Sequence, residues 1–338
     1  MTAPGAAEVK KADLVLSGGG VKGIALVGAV AALADAGYVP QRISGTSAGA
    51  LVGAVLAAAA HSGTLSGRQL ETLAMGIDYP ELLDPGPIER VPVLGPAWGV
   101  LSGGGIYRGD ALRTWVADQL AELGVVTFAD LAIRDSTLPP EQRYRLVVTV
   151  ADVTLGQLVR LPWDYRRVYG LDPDEQSVAD AVRASTAIPF FYHPASLTSA
   201  DGRTSTLVDG GLLSNFPIDS LDRCDGQPPR WPTFGVTLLP DLPAHNEQVI
   251  PALRPLHLLG APTLLEQVVT TMLVGRDQAY LDMPWVSART VRIDTSEIGV
   301  LDFDLSQRDK RLLYQRGRLA GEEFLEHWDW AAYLTRFR

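Results

Sequence analysis

The sequence is poor in several features that would place a protein quickly. Cys224 is the one cysteine in 338 residues, so no internal disulfide can form and a reducing compartment is expected. The longest apolar run, from Ala48 to Ala60, falls short of the roughly 20 residues that span a bilayer. Residues 1–12 are polar and lack the apolar core of a secretion signal, so they read as an N-terminal tail. Cations are in the minority: 29 Lys and Arg face 39 Asp and Glu, for a net charge of −10. That balance argues against a nucleic-acid partner and against adsorption to anionic membrane by charge alone. Five histidines are scattered, and no His/Cys/Asp group has metal-ligand spacing, so neither metal nor cofactor is expected. No repeat, low-complexity tract or linker interrupts the chain. These absences point to a cytoplasmic protein without an integral membrane segment.

What is present is core. Hydrophobic residues make up 46% and charged residues 20%, enough to bury a large interior. The chain is organised around Gly45-Thr46-Ser47-Ala48-Gly49. A short strand leads in through Arg42-Ile43-Ser44 and a helix leads out from Ala48, the strand–turn–helix setting of a nucleophile elbow. The flanking glycines Gly45 and Gly49 allow the tight turn that presents Ser47 at a strand's carboxyl end. The free N–H groups and positive dipole end of the new helix favour negative charge beside it. A Gly-rich structural turn is the plainer alternative.

Around this point the pattern alternates strand and helix. Asp13 to Ser17 reads as a strand and Ile24 to about Ala36 as a helix, with further helices at 66–76, 109–123, 177–187, 263–281 and 306–330. The terminal helix carries an apolar stripe through Leu312, Leu313, Leu319 and Phe324. Strands are expected at 144–150, with 155–163 as its partner, and at 205–208, 234–239 and 290–293. This order predicts an α/β fold, a parallel sheet with helices on its faces. One domain over 13–330 is the simplest organisation. The stretch 79–107 breaks the pattern with five prolines, yet holds Val91, Val93, Leu94, Trp98 and Leu101. Such an insertion reads as a cap over a binding site, or as packing on the protein body.

Gly18, Gly20 and Gly23 match a dinucleotide-binding fingerprint after a strand and before a helix. That reading needs an acid about 20 residues on, and Ile43-Ser44-Gly45-Thr46 stands there instead. The better alternative is an oxyanion hole built from the amides of Gly18, Gly19, Gly20 and Val21, emerging beside Ser47. Lys22 is expected to point away along the helix in a solvated or structural role.

A serine hydroxyl needs a base. His245 or His257 could complete a Ser-Asp-His order with Asp209, but neither sits in a Gly-flanked turn. Asp209 does: it ends a strand and precedes Gly210-Gly211, so its carboxylate can reach Ser47 and act as general base directly. A bare turn residue is the alternative.

Together, Gly18 to Gly23, Gly45 to Gly49 and Asp209 to Gly211 resemble the patatin-like phospholipases. Ala184-Ser185-Thr186-Ala187-Ile188-Pro189 is similar to a further family segment, and Asn215 and Pro217 fit as well. Lys22 departs from the Arg commoner there. The resemblance implies a three-layer α/β/α sandwich with a mainly parallel central sheet, and on it a serine acyl-ester hydrolase of lipids with a Ser47–Asp209 dyad, an acyl-enzyme and no catalytic His. Its partners would be a lipid acyl ester and, transiently, a membrane or micelle surface. An acyltransferase with the same dyad and a lipid-binding regulatory module are the alternatives. Phe190-Phe191-Tyr192 and the 79–107 segment are expected either to line an acyl groove or to pack in the core.

Overall fold

The structure, a computed structural model, describes residues 9–63, 66–86, 104–239 and 278–338. The chain opens with β1 (Lys10–Leu16), α1 (Gly23–Asp35), β2 (Tyr38–Thr46), α2 (Ala48–Ser62) and α3 (Gly67–Gly76). After the helix Asp110–Glu122 come β3 (Leu146–Asp152), β4 (Gln157–Leu161) and the helix Val178–Ser185. β5 (Ala195–Thr198), β6 (Thr204–Asp209), β7 (Thr233–Leu239) and β8 (Thr290–Asp294) follow, then the helices Gln307–His327 and Trp330–Phe337.

The strands form one sheet in the order β5-β6-β3-β2-β1-β7-β8, with β4 also paired to β3. The half around β1 is parallel. β4, β5 and β6 join antiparallel, so the sheet is mixed, with its parallel part where the βα units are. β2 begins earlier than expected, and Pro40 lies inside it. Pro40 pairs only with Ala12 of β1, because β3 joins β2 from Ile43 onward. At Pro40 the strand is therefore still an edge, where a missing N–H is tolerated.

Side-chain alternation splits the core. Leu14, Leu16, Ile43, Leu146 and Val148 belong to the large cluster with α1, α2 and the C-terminal helix. Val15 and Val147 pack on the other face with Phe216, Ile218 and Val286. α1 crosses the helix Gln307–His327 at very close range. A Cβ added at Gly28 would lie 2.1 Å from Tyr314 O, and one at Gly317 only 1.8 Å from Ala25 O. The buried face of that last helix runs through Leu313, Tyr314, Gly317 and Gly321. Of the expected stripe, Leu313 is buried and Phe324 packs against the core, while Leu319 is corrected, being 65% exposed: small residues let the helix backbones touch, and a leucine would hold them apart. Of the helix expected at 263–281, only Gln278–Leu281 falls among the described residues. No helix among them is long and apolar enough to cross a membrane.

Candidate active site

Ser47 sits between β2 and α2 with φ 53 and ψ −122. Left-handed backbone at a non-glycine residue is uncommon and costs about 1–3 kcal/mol. The surroundings over-determine it. A Cβ at Gly45 would stand 2.2 Å from Gly49 O, and one at Gly49 would stand 2.3 Å from Leu16 O. The glycines thus let α2 rise directly off the strand against β1. The Ser47 N–H donates to Ser185 Oγ at 2.9 Å, and Ser185 Oγ donates to Thr149 O at 2.7 Å. Ser185 was legible only as part of a recurring segment. This anchoring contact spans 138 positions and has no local signature.

Asp209 reaches the same place through β3. Thr46 pairs with Thr149 of β3, and Asp209 pairs with the next residue, Val150. β4 covers the opposite edge of β3 over Val148 to Asp152. β2 and β6 must therefore share one edge of β3 and meet there tip to tip. Gly210 fills the junction: a Cβ on it would lie 2.4 Å from Thr149 O and 3.1 Å from Thr46 Cγ2. The Asp209 N–H donates to Ala187 O at 2.9 Å. Its Oδ1 accepts the Gly211 N–H at 2.8 Å, while Oδ2 is buried and completes no hydrogen bond of full geometry. Burial pushes the carboxyl pKa up to about 7, against the downward pull of the neighbouring Ser47 hydroxyl and the Gly211 amide. A carboxyl poised there can hold or release a proton at neutral pH. Catalytic contacts are often loose before substrate arrives.

The glycine loop after β1 lies against the serine, with a Cβ at Gly18 falling 3.1 Å from Ser47 Cβ. Its amides are not equivalent. The Gly18 N–H donates to Asn215 O at 3.2 Å and the Val21 N–H to Val300 O at 3.1 Å. Gly18 and Val21 are therefore corrected from donors to loop anchors, because their protons are already committed. The N–H groups of Gly19 and Gly20 make no hydrogen bond with the described residues. Gly20 has φ 57, and a Cβ there would stand 2.1 Å from Val300 O. Lys22 is 5% exposed, so it is buried rather than solvated, and its charge is felt at Asp294.

From Ser47 and Gly20 an apolar slot runs between α1 and α2, holding about 580 Å³ of open space including its mouth. Val27, Leu51, Ile77, Leu112 and Phe303 supply much of its wall. These were invisible as site residues, since a helix's apolar stripe looks the same whether it meets protein or ligand. The expected aromatic run divides: Tyr192 lines the slot, as does Tyr79, whereas Phe191 packs in a cluster with Ile106 and Leu301. Val91, Val93, Leu94, Trp98 and Leu101 of the expected cap lie outside the described residues. So do His245 and His257. His61 and His327 are exposed, His193 is half-buried, and none of the three lines the slot.

A strained serine beside a buried carboxyl and a glycine loop, at the end of a mixed α/β sheet, defines a class, and the comparisons agree. The family model for patatin-like phospholipases matches residues 14–222, and the chain belongs to that family, whose characteristic activity is lipid hydrolysis. The uncharacterized protein YqhO of Bacillus subtilis (strain 168) is 34% identical over 322 residues, 94% of this chain and 98% of that one. Among solved structures, VipD from Legionella pneumophila shares the fold at TM-score 0.50 and 19% identity, over 95% of this chain and 67% of VipD. ExoU of Pseudomonas aeruginosa, solved with SpcU, aligns at TM-score 0.44 and 20% identity. That alignment covers 93% of this chain and about half of the ExoU chain, 51%.

Proposed function

We propose that the chain is a carboxylic ester hydrolase acting on lipid acyl esters, of phospholipase A or lysophospholipase type, through a Ser47–Asp209 dyad. The observation that carries this reading is the meeting of β2 and β6 on one edge of β3. It sets a buried carboxyl with a pKa near 7 beside a serine whose hydroxyl opens into an apolar slot. Ionised Asp209 takes the Ser47 Oγ proton as Oγ bonds to the acyl carbonyl carbon. The carbonyl π pair moves to oxygen, which accepts the N–H groups of Gly19 and Gly20. Collapse expels the alcohol or lysolipid, which leaves with the proton held by Asp209. Water then gives a proton to Asp209 and adds to the acyl-enzyme. The second collapse frees the fatty acid and returns the proton to Ser47. The acyl chain lies along Val27, Leu51 and Leu112, where burial contributes about 0.8 kcal/mol per methylene.

A serine-directed fluorophosphonate should label the protein, and Ser47→Ala should abolish labelling and hydrolysis of a micellar phospholipid without altering the circular dichroism spectrum. Labelling retained at another serine would overturn the assignment. A panel of phospholipids, glycerides and short p-nitrophenyl esters then ranks head group and chain length.

A further inference from the structure

The end of the sheet opposite Ser47 carries a second built recess. Lys11 lies near the start of β1, and Arg145 directly precedes β3. Both line a cleft with Arg42, Arg134, Arg230 and Trp231. A neighbouring recess shares Arg42, Arg230 and Trp231 as its wall. From Lys11 to Gly18 is seven strand steps, or roughly 20 Å, so this cleft is separate from the catalytic slot.

Its charge opposes that of the chain. The protein carries a net −10, yet Asp135 is the one carboxylate among the described residues lining this cleft. Two of the cations are spoken for: Arg42 binds Asp13 at 2.5 Å and Arg230 binds Asp135 at 2.5 Å. Lys11, Arg134 and Arg145 have no carboxylate partner among the described residues. Arg145 is the informative one. Its Nε is buried without a hydrogen-bond partner, and an unpartnered buried donor on a charged group is costly to leave unmade. That Nε is closed off from the cleft, so it is the rest of the half-buried Arg145 that lines the cleft and would meet an anion. The indole of Trp231 is already engaged by Lys11 at 5.6 Å and Arg230 at 4.5 Å. Stacking of a nucleobase on it is therefore disfavoured, and the recognition left is of charge.

We infer that the cleft at the amino-terminal ends of β1 and β3 binds a compact phosphate-bearing anion through Lys11, Arg134 and Arg145. Guanidinium forks match phosphate oxygens geometrically. The phosphate can come from a soluble phosphate ester or from a lipid headgroup. The position favours a soluble ligand, since a headgroup bound here would hold the Ser47 slot away from the same bilayer.

The test uses inorganic pyrophosphate as probe, with sodium chloride at matched ionic strength as control. Thermal unfolding and titration calorimetry should show a saturable rise in melting temperature with pyrophosphate that the salt does not reproduce. Arg145→Gln and Arg134→Gln, each checked for fold by circular dichroism, should weaken binding about tenfold or more. Flotation with phosphatidylcholine vesicles containing phosphatidylglycerol separates the sources. Pyrophosphate binding without flotation supports a soluble phosphate, and Arg145-dependent flotation supports a headgroup. Equal stabilisation by sodium chloride, or pyrophosphate binding unchanged in both variants, would overturn the inference. None of these readouts depends on hydrolysis, so the failure of this site and that of the Ser47 assignment are distinguishable.

Discussion

At Gly45–Gly49 the left-handed torsion falls on Ser47, φ 53, whereas in the Gly18–Gly23 loop it falls on a glycine, Gly20, φ 57. The elbow glycines have ordinary backbone, and their missing Cβ atoms make room: Gly49 abuts Leu16 O and Gly45 abuts Gly49 O. Gly20 needs both the torsion and the space. In one turn glycine lets secondary structures touch so that another residue can be strained; in the other it takes the strain itself. The elbow is thus a packing device whose failure should unfold the site. In the proposed mechanism the first loop is the donor device, and its failure should reduce rate as well as stability.

The sharpest way to break this comparison is at the shared partner, Asp209. Asp209→Asn should lower kcat on a micellar phospholipid by about a thousandfold or more, the scale of losing a dyad's base. The same variant should be more stable above neutral pH. The folded carboxyl titrates at about 7 and the unfolded one at 3.8. Between those values the unfolded state has released a proton that the folded state keeps, so wild-type stability falls as pH rises through that window. At pH 8 the accumulated difference is about 4 kcal/mol as an order of magnitude, and chemical denaturation of wild type against Asp209→Asn at pH 5 and pH 8 reads it. Equal stability at both would show that Asp209 is not held protonated by burial.

Gly49→Ala comes next. Its Cβ would meet Leu16 O at 2.3 Å and Ser17 O at 2.6 Å, backbone atoms that cannot yield cheaply. A loss of about 3 kcal/mol or more in urea denaturation is expected. Gly20→Ala would set a Cβ 2.1 Å from Val300 O at a left-handed φ of 57, so it should cost stability as well and, by displacing its N–H, lower kcat about a hundredfold, the scale of one oxyanion donor. If Gly49→Ala folds normally, or if Gly20→Ala loses stability with kcat unchanged in the folded fraction, the assignment of the two turns fails.

Smaller effects sharpen the picture. kcat/KM on a soluble short-chain ester should rise about tenfold per pH unit below 7 and level off above it, because ionised Asp209 is the active form. A flat profile from pH 5 to 8 would remove Asp209 as base. Ser185→Ala orphans the Ser47 N–H and should lower stability by about 1–3 kcal/mol, with activity reduced several-fold rather than abolished. His193→Ala should change turnover least of all.

The sequence by itself determined the order of strands and helices through most of the described chain, the elbow at Ser47 and the Gly-flanked turn at Asp209. Each is written in a few consecutive residues: alternation of apolar side chains, glycine spacing, a strand ending in an acid. Three things were decided only in three dimensions. The slot is made of Val27, Ile77, Leu112 and Phe303, whose apolar faces look alike to a local pattern whether protein or ligand covers them. Of the amides from Gly18 to Val21, those of Gly19 and Gly20 make no hydrogen bond with the described residues, whereas Asn215 O and Val300 O, nearly 200 and 280 positions away, claim the other two. Asp209 came to Ser47 through β3, a strand that contains neither, whose single edge receives both β2 and β6. Strand pairing is set by which edges are left open once the sheet assembles, and that is a property of the whole chain rather than of any segment in it.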